Sequence, residues 1–214
     1  METVQKAWNY IQENPEKFLE AFREHLILSI VALVIAMIVS ITIGIICAKK
    51  ENISSVLMGI FNSLRVIPSL AILIIVLPIM GTGFYPALIA LTVLACPPII
   101  INTFTGFREI DRSVIEAASG MGMNEKQILK KIEFPLALPI IIAGCRTAAV
   151  EVVASATLAA FIGGGGLGTF IINGLGMYNI PLLLVGAIPV ALLAILSEVS
   201  FATTEKFFTR YLRD

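Results

Sequence analysis

Charge is scarce in this 214-residue chain. Asp, Glu, Lys and Arg together make up 14% of it, in equal numbers of each sign, while 57% is hydrophobic. A soluble domain carries about 25% charged residues. A chain this long and this poor in charge would expose too much apolar surface to water, so its solvent is lipid. No basic block interleaved with aromatics occurs, which excludes the nucleic-acid-binding classes. Cys47, Cys96 and Cys145 each sit inside an apolar run, with no CxxC spacing and no nearby histidine. They are read as small buried residues, and no metal site or disulfide framework is indicated. The single histidine, His25, is read as an interfacial residue where the first apolar run begins. No nucleophile and base pattern stands out, so no catalytic residue is assigned. A Walker-type sequence is missing as well: Gly163–Gly168 superficially resembles a phosphate loop but lacks the following Lys-Ser/Thr. The first 25 residues are polar and acidic, unlike a secretory signal, which leaves the first apolar run as the membrane-targeting element.

What is present is a series of long apolar runs. A helix needs about 20 such residues to cross the hydrocarbon core. Leu26 to Ala48 forms one span. Val66 to Phe107 holds no charge and is too long for one crossing; Gly81-Thr82-Gly83 breaks it, with Phe84 and Tyr85 at the interface. Two spans result, about Ser55 to Met80 and about Pro86 to Phe107. A fourth runs from about Leu138 to Ile162, ended by the glycine run, and a fifth from about Ile180 to Phe201. Pro68 and Pro78 are expected to kink the second span, and Pro97-Pro98 to distort the third. The fold class is therefore an all-α integral membrane protein of about five transmembrane helices. Lys49, Lys50, Arg108, Arg112, Lys126, Lys130, Lys131, Lys206, Arg210 and Arg213 all fall on one side of this arrangement, and the opposite loops carry no Lys or Arg. The positive-inside rule places the N-terminus outside and the C-terminus in the cytoplasm. The organisation expected is an extracytoplasmic N-terminal segment (1–24), a transmembrane domain (25–205) and a cytoplasmic tail (206–214). Val4, Ala7, Trp8 and Ile11 share one helical face, as do Phe18, Leu19 and Phe22 after Pro15. Two readings stand: a helix lying on the outer leaflet, or one packed on its own protein.

One polar island of roughly 30 residues, 108–137, interrupts the apolar runs. Asp111 is placed to cap a helix over Arg112 to Ser119. Gly120 and Gly122 permit a tight turn. Asn124 caps a second helix, with Gln127 completing a capping box and Met123 and Ile128 spaced as a hydrophobic staple. Pro135 is expected to close that helix. Ala117 and Ala118 give the first helix a small face that a partner can approach closely, and Glu116 offers a charged anchor to an Arg or Lys.

Arg65, Arg146 and Glu151 lie in or near apolar spans, where ionisable groups are costly and face a bundle interior or a water-filled path. Glu151 either meets a cationic solute or pairs with an Arg; pairing is the default for such charges and is the preferred reading.

The island carries Glu116-Ala117-Ala118, three residues, Gly122, nine residues, Ile132, one residue, then Phe134-Pro135. This resembles the signature of binding-protein-dependent ABC importer permeases, with Phe134 where the family usually has Leu. Ile67–Ala71, Pro97–Thr103 and Ala156–Gly168 look like the subgroup importing glycine betaine, carnitine and choline. The resemblance implies the type I ABC importer permease fold, in a bacterial or archaeal plasma membrane. It implies a coupling segment formed by Glu116, Ala117, Ala118, Gly122, Ile132 and Pro135. It also implies three kinds of partner: a cytoplasmic ATPase dimer that binds ATP and Mg, a second permease subunit (identical or paralogous) and an extracytoplasmic solute-binding protein. Candidate path-lining residues are Arg65, Pro68, Asn102, Arg146 and Glu151. Alternatives are another small solute such as an amino acid, an autonomous secondary transporter or channel subunit, and a membrane anchor.

Overall fold

The structure, a computed structural model, describes residues 2–211, and the side chains of all of these except 51–53, 210 and 211. Arg213 of the tail lies outside the described residues. The fold is helical from end to end among the described residues. Helix α1 (Glu2–Glu13) stops at Asn14, whose side-chain amide donates to the Tyr10 carbonyl at 3.2 Å. Pro15 then opens α2 (Pro15–Lys49), a position where its missing N–H costs nothing. The first span therefore belongs to a helix that begins 11 residues before the apolar run does. Next come α3 (Glu51–Leu64), α4 (Ser69–Met80) and α5 (Phe84–Arg108). The expected second span is interrupted. Pro68 does not kink a continuous helix; it stands just ahead of α4, where a residue without an N–H is tolerated. Pro97 and Pro98, in contrast, lie inside an unbroken α5.

Beyond α5 come α6 (Arg112–Gly120), α7 (Glu125–Ile128), a π-helical turn over Leu129–Glu133 and α8 (Phe134–Ser155). A 3₁₀ turn at Leu158–Ile162 follows, so the fourth span ends at Ser155, not at Ile162. The glycine-rich stretch is not simply a turn, because it leads into α9 (Gly168–Gly176). The last helix, α10 (Ile180–Tyr211), runs without a break through the first part of the expected tail. Among the described residues, four helices are long and apolar enough to cross a membrane, or five spans if α3 and α4 count together as one.

The residues group into two compact units. One holds α1, α2 as far as Ala36, α4, the first half of α5 and the chain from Ala149 to Ser197. Its core joins Ala7, Ala21, Leu167, Phe170, Val185 and Val190, with Tyr10, Ile11, Phe18 and Phe22 packed against them. Of the two readings of the N-terminal helices, packing on the protein accounts for these residues; Val4, Trp8 and Leu19 are exposed. His25 is fully buried within the protein, with Nε2 donating to the Val153 carbonyl at 3.2 Å. In the other unit, Cys47, Met58 and Ile100 form a core lined by Ile43, Phe61 and Phe104. Large apolar side chains such as Ile30, Ile38, Leu192, Ile195 and Val199 are left exposed on α2 and α10, which suits contact with lipid.

Candidate functional site

The polar hairpin is built from local signals that close on one another. Asp111 accepts from the Ser113 N–H at 2.9 Å and so caps α6; the same bond holds its carboxyl below the usual carboxylate pKa. At the far end the Gly122 N–H reaches the Ser119 carbonyl (2.9 Å) and the Met123 N–H reaches the Ala118 carbonyl (3.2 Å). This double closure is a Schellman motif. It requires a left-handed residue at Gly122, where φ is +83°. An L side chain is strained in that conformation. Two residues on, the Gln127 N–H donates to Asn124 Oδ1 (3.0 Å) and the Asn124 N–H to Gln127 Oε1 (2.9 Å), a complete capping box. Asp111, Gly122, Asn124 and Gln127 thus do what their spacing promises.

Within that frame the signature residues divide. Glu116 and Ala117 are exposed on α6, and Gly122 is exposed at the turn. Ala118 is 1% exposed and turned inward, so the small face offered to a partner is Ala117 without Ala118. Ile132 is half-buried in the π turn. Pro135 does not close the second helix. The π turn carries the chain onward, with the Phe134 N–H bonded to the Leu129 carbonyl one residue further back than in an α-helix, and Pro135 sits in the first turn of α8. There its lack of an N–H is tolerated.

Between Ile132 and Phe134 lies Glu133, at the position the signature leaves free. It is buried, and both carboxylate oxygens lie 2.6 Å from Nζ of Lys49, the last residue of α2. No sequence pattern signals this pair, because 84 residues separate its members.

The other candidates are not gathered into one site. Arg65 is exposed just past the C-terminal end of α3, and Pro68 is exposed before α4. The Asn102 amide donates to the Pro98 carbonyl at 2.8 Å, one turn back along α5. Arg146 makes ion pairs with Glu198 (2.7 Å) and Glu205 (3.0 Å) of α10, two carboxylates that the sequence reading left unassigned. Glu151 is exposed on α8.

Comparison with known proteins is consistent along nearly the whole chain. The profile of the "Binding-protein-dependent transport system inner membrane component" family matches residues 40–210. The carnitine transport permease protein OpuCB of Listeria monocytogenes is 41% identical over 92% of this chain and 90% of its own length. The glycine betaine/carnitine/choline transport system permease protein OpuCB of Bacillus subtilis (strain 168) is 38% identical, covering 96% of this chain and 95% of its own. A solved inward-facing MetNI methionine ABC transporter superposes with a TM-score of 0.82 at 21% identity, over 90% of this chain and 96% of that one, which shows the type I importer permease fold. The chain belongs to the family of inner-membrane components of binding-protein-dependent transport systems.

Proposed function

We propose that this chain is the membrane-spanning half of an importer that moves a small quaternary-amine solute, driven by ATP hydrolysis in a separate subunit. The solute class rests on the two permeases of 41% and 38% identity, one for carnitine and one for glycine betaine, carnitine and choline. The observation that carries the role of the hairpin is its build. Capped at Asp111 and Asn124 and closed at Gly122, it presents Glu116 and Ala117 outward on a short helix held at both ends. A rigid, exposed helix with one carboxylate and one small residue suits docking into a groove of a soluble subunit.

In this reading the N-terminus faces outward and the hairpin lies in the cytoplasm, as the distribution of Lys and Arg favours. A solute-binding protein delivers the solute from outside. Two ATPase subunits bind ATP and Mg, and a second permease, identical or paralogous, completes the path. This chain's part is to receive motion at the hairpin and pass it to the spans; the chemistry of hydrolysis stays with the partner.

The test is reconstitution of the complete complex in liposomes, with uptake of radiolabelled glycine betaine, carnitine and choline measured beside ATPase activity. The Ala117→Trp variant should lose uptake and binding-protein-stimulated hydrolysis together. Normal values for both would remove the docking role. Uptake of an amino acid in place of all three amines would replace the solute class, and uptake without any ATPase subunit would favour an autonomous transporter.

A further inference from the structure

Glu133 is a buried carboxylate at the junction of the polar hairpin and α8. It occupies the last residue of the π turn and is 3% exposed, whereas Lys49 is half-exposed at the end of α2. A carboxylate taken out of water is retained only where a partner compensates it. Here the ammonium of Lys49 lies 2.6 Å from each oxygen, so the partner is specific. The space around the pair is not filled by apolar packing. Two cavities reach it, one of about 390 Å³ lined also by Phe107, Arg108 and Arg112, and one of about 440 Å³ lined also by Glu125, Lys126, Ile128 and Leu129. Lys49, Ile115 and Glu133 line both. The hairpin root is therefore tied to the end of α2 by a charge pair that two cavities border. The π turn adds a second feature at this point: such turns are rare inside helices, are frequent at functional sites and are places where helices bend.

We propose that Lys49 and Glu133 form a positioning latch. It makes α2 follow the hairpin when the hairpin is displaced, so that displacement becomes movement of a span in place of bending at the π turn. This rests on the proposed docking of the hairpin on an ATPase. It goes beyond that docking by assigning a residue outside the family signature to the transmission step. Glu133 touches neither solute nor nucleotide in this role and acts through Lys49. Without the pair, the hairpin still docks and hydrolysis still proceeds, but less of each cycle reaches the spans.

The experiment measures solute molecules moved per ATP hydrolysed by the full complex in liposomes, with whichever of radiolabelled glycine betaine, carnitine or choline the wild type transports. Glu133→Gln should lower that ratio about tenfold while hydrolysis stays near wild type. Lys49→Gln, altered at the half-exposed end, should lower it similarly, and Lys49→Arg, which keeps the charge, should restore it. A role confined to folding would reduce uptake and hydrolysis in proportion and leave the ratio unchanged. An unchanged ratio in Glu133→Gln or Lys49→Gln would overturn the latch, as would a Lys49→Arg complex as poorly coupled as Lys49→Gln. A wild-type complex with no ATP-dependent uptake of any of the three amines would instead strike the proposed function.

Discussion

Two of the connecting segments, the polar hairpin and the glycine-rich stretch, are held in opposite ways. The polar hairpin from Asp111 to Glu133 takes its shape from neighbours in sequence: a cap two residues ahead of Ser113, a glycine closure at Gly122 and a box spanning Asn124 to Gln127. The segment from Leu158 to Asn179 is shaped by distant residues. The Gly166 N–H donates to Glu24 Oε2 at 2.8 Å, 142 residues away. The Phe170 ring meets Tyr10 edge to face, with centroids 6.1 Å apart. Gly174 is buried so closely against α10 that an added Cβ would come within 2.5 Å of the Leu183 nitrogen. A locally capped element keeps its form while its outer face stays free for a partner; one held by tertiary contacts depends on the packing beneath it.

The largest effect that sharpens this contrast is expected at Gly174. Gly174→Leu forces backbone apart and should cost about 3 kcal/mol, read as a fall in the thermal midpoint of the detergent-solubilised chain. Faster amide exchange should appear in Leu158–Asn179 and leave the hairpin unchanged. The contrast fails if exchange rises equally in both segments.

The spans were legible because the hydrocarbon core sets a length, and the hairpin because caps act over two to four residues. The bounds of α2 were not, since Pro15 starts a helix well before the charge-free run. Nor was α9: its apolar residues follow a run of glycines that reads as a turn, and what orders it is Tyr10, Glu24 and Leu183. In the candidate site, the sequence does not separate a surface Ala118 from a buried one, because a small residue fits either side of a thin helix. Pro135 reads as a stop in the sequence because a π turn has no sequence mark. The partners of Glu133 and Arg146 stayed hidden because long-range ion pairs leave no local pattern.

Next in size is Gly122→Ala, which places a Cβ at φ +83°. It should cost roughly 1–2 kcal/mol and speed exchange in the hairpin alone. Asn124→Ala removes one half of the capping box and should cost about 1 kcal/mol, seen as fraying of Glu125–Ile128 by the same measurement. The smallest effect is on pH. The Asp111 carboxyl titrates below its unfolded value because it accepts from Ser113. The cap therefore contributes fully above the ordinary aspartate pKa and is lost as pH falls through the lower, folded value. The protection factor at Ser113, which is exchange relative to its intrinsic pH-dependent rate, should fall on acidification through that range, and an Asp111→Asn variant should show a flat protection profile; a wild-type profile equally flat would remove the cap.

The docking of the hairpin is tested most directly by cross-linking. In a chain lacking Cys47, Cys96 and Cys145, a single cysteine at Glu116 or Ala117 would be treated with a short bifunctional thiol reagent in membranes holding the ATPase subunit with a cysteine in its docking groove. A covalent permease–ATPase product is expected from both positions and not from a cysteine at Tyr178, which is 92% exposed in the other connecting segment. Failure to cross-link at both hairpin positions, or a product from Tyr178 instead, would contradict the account.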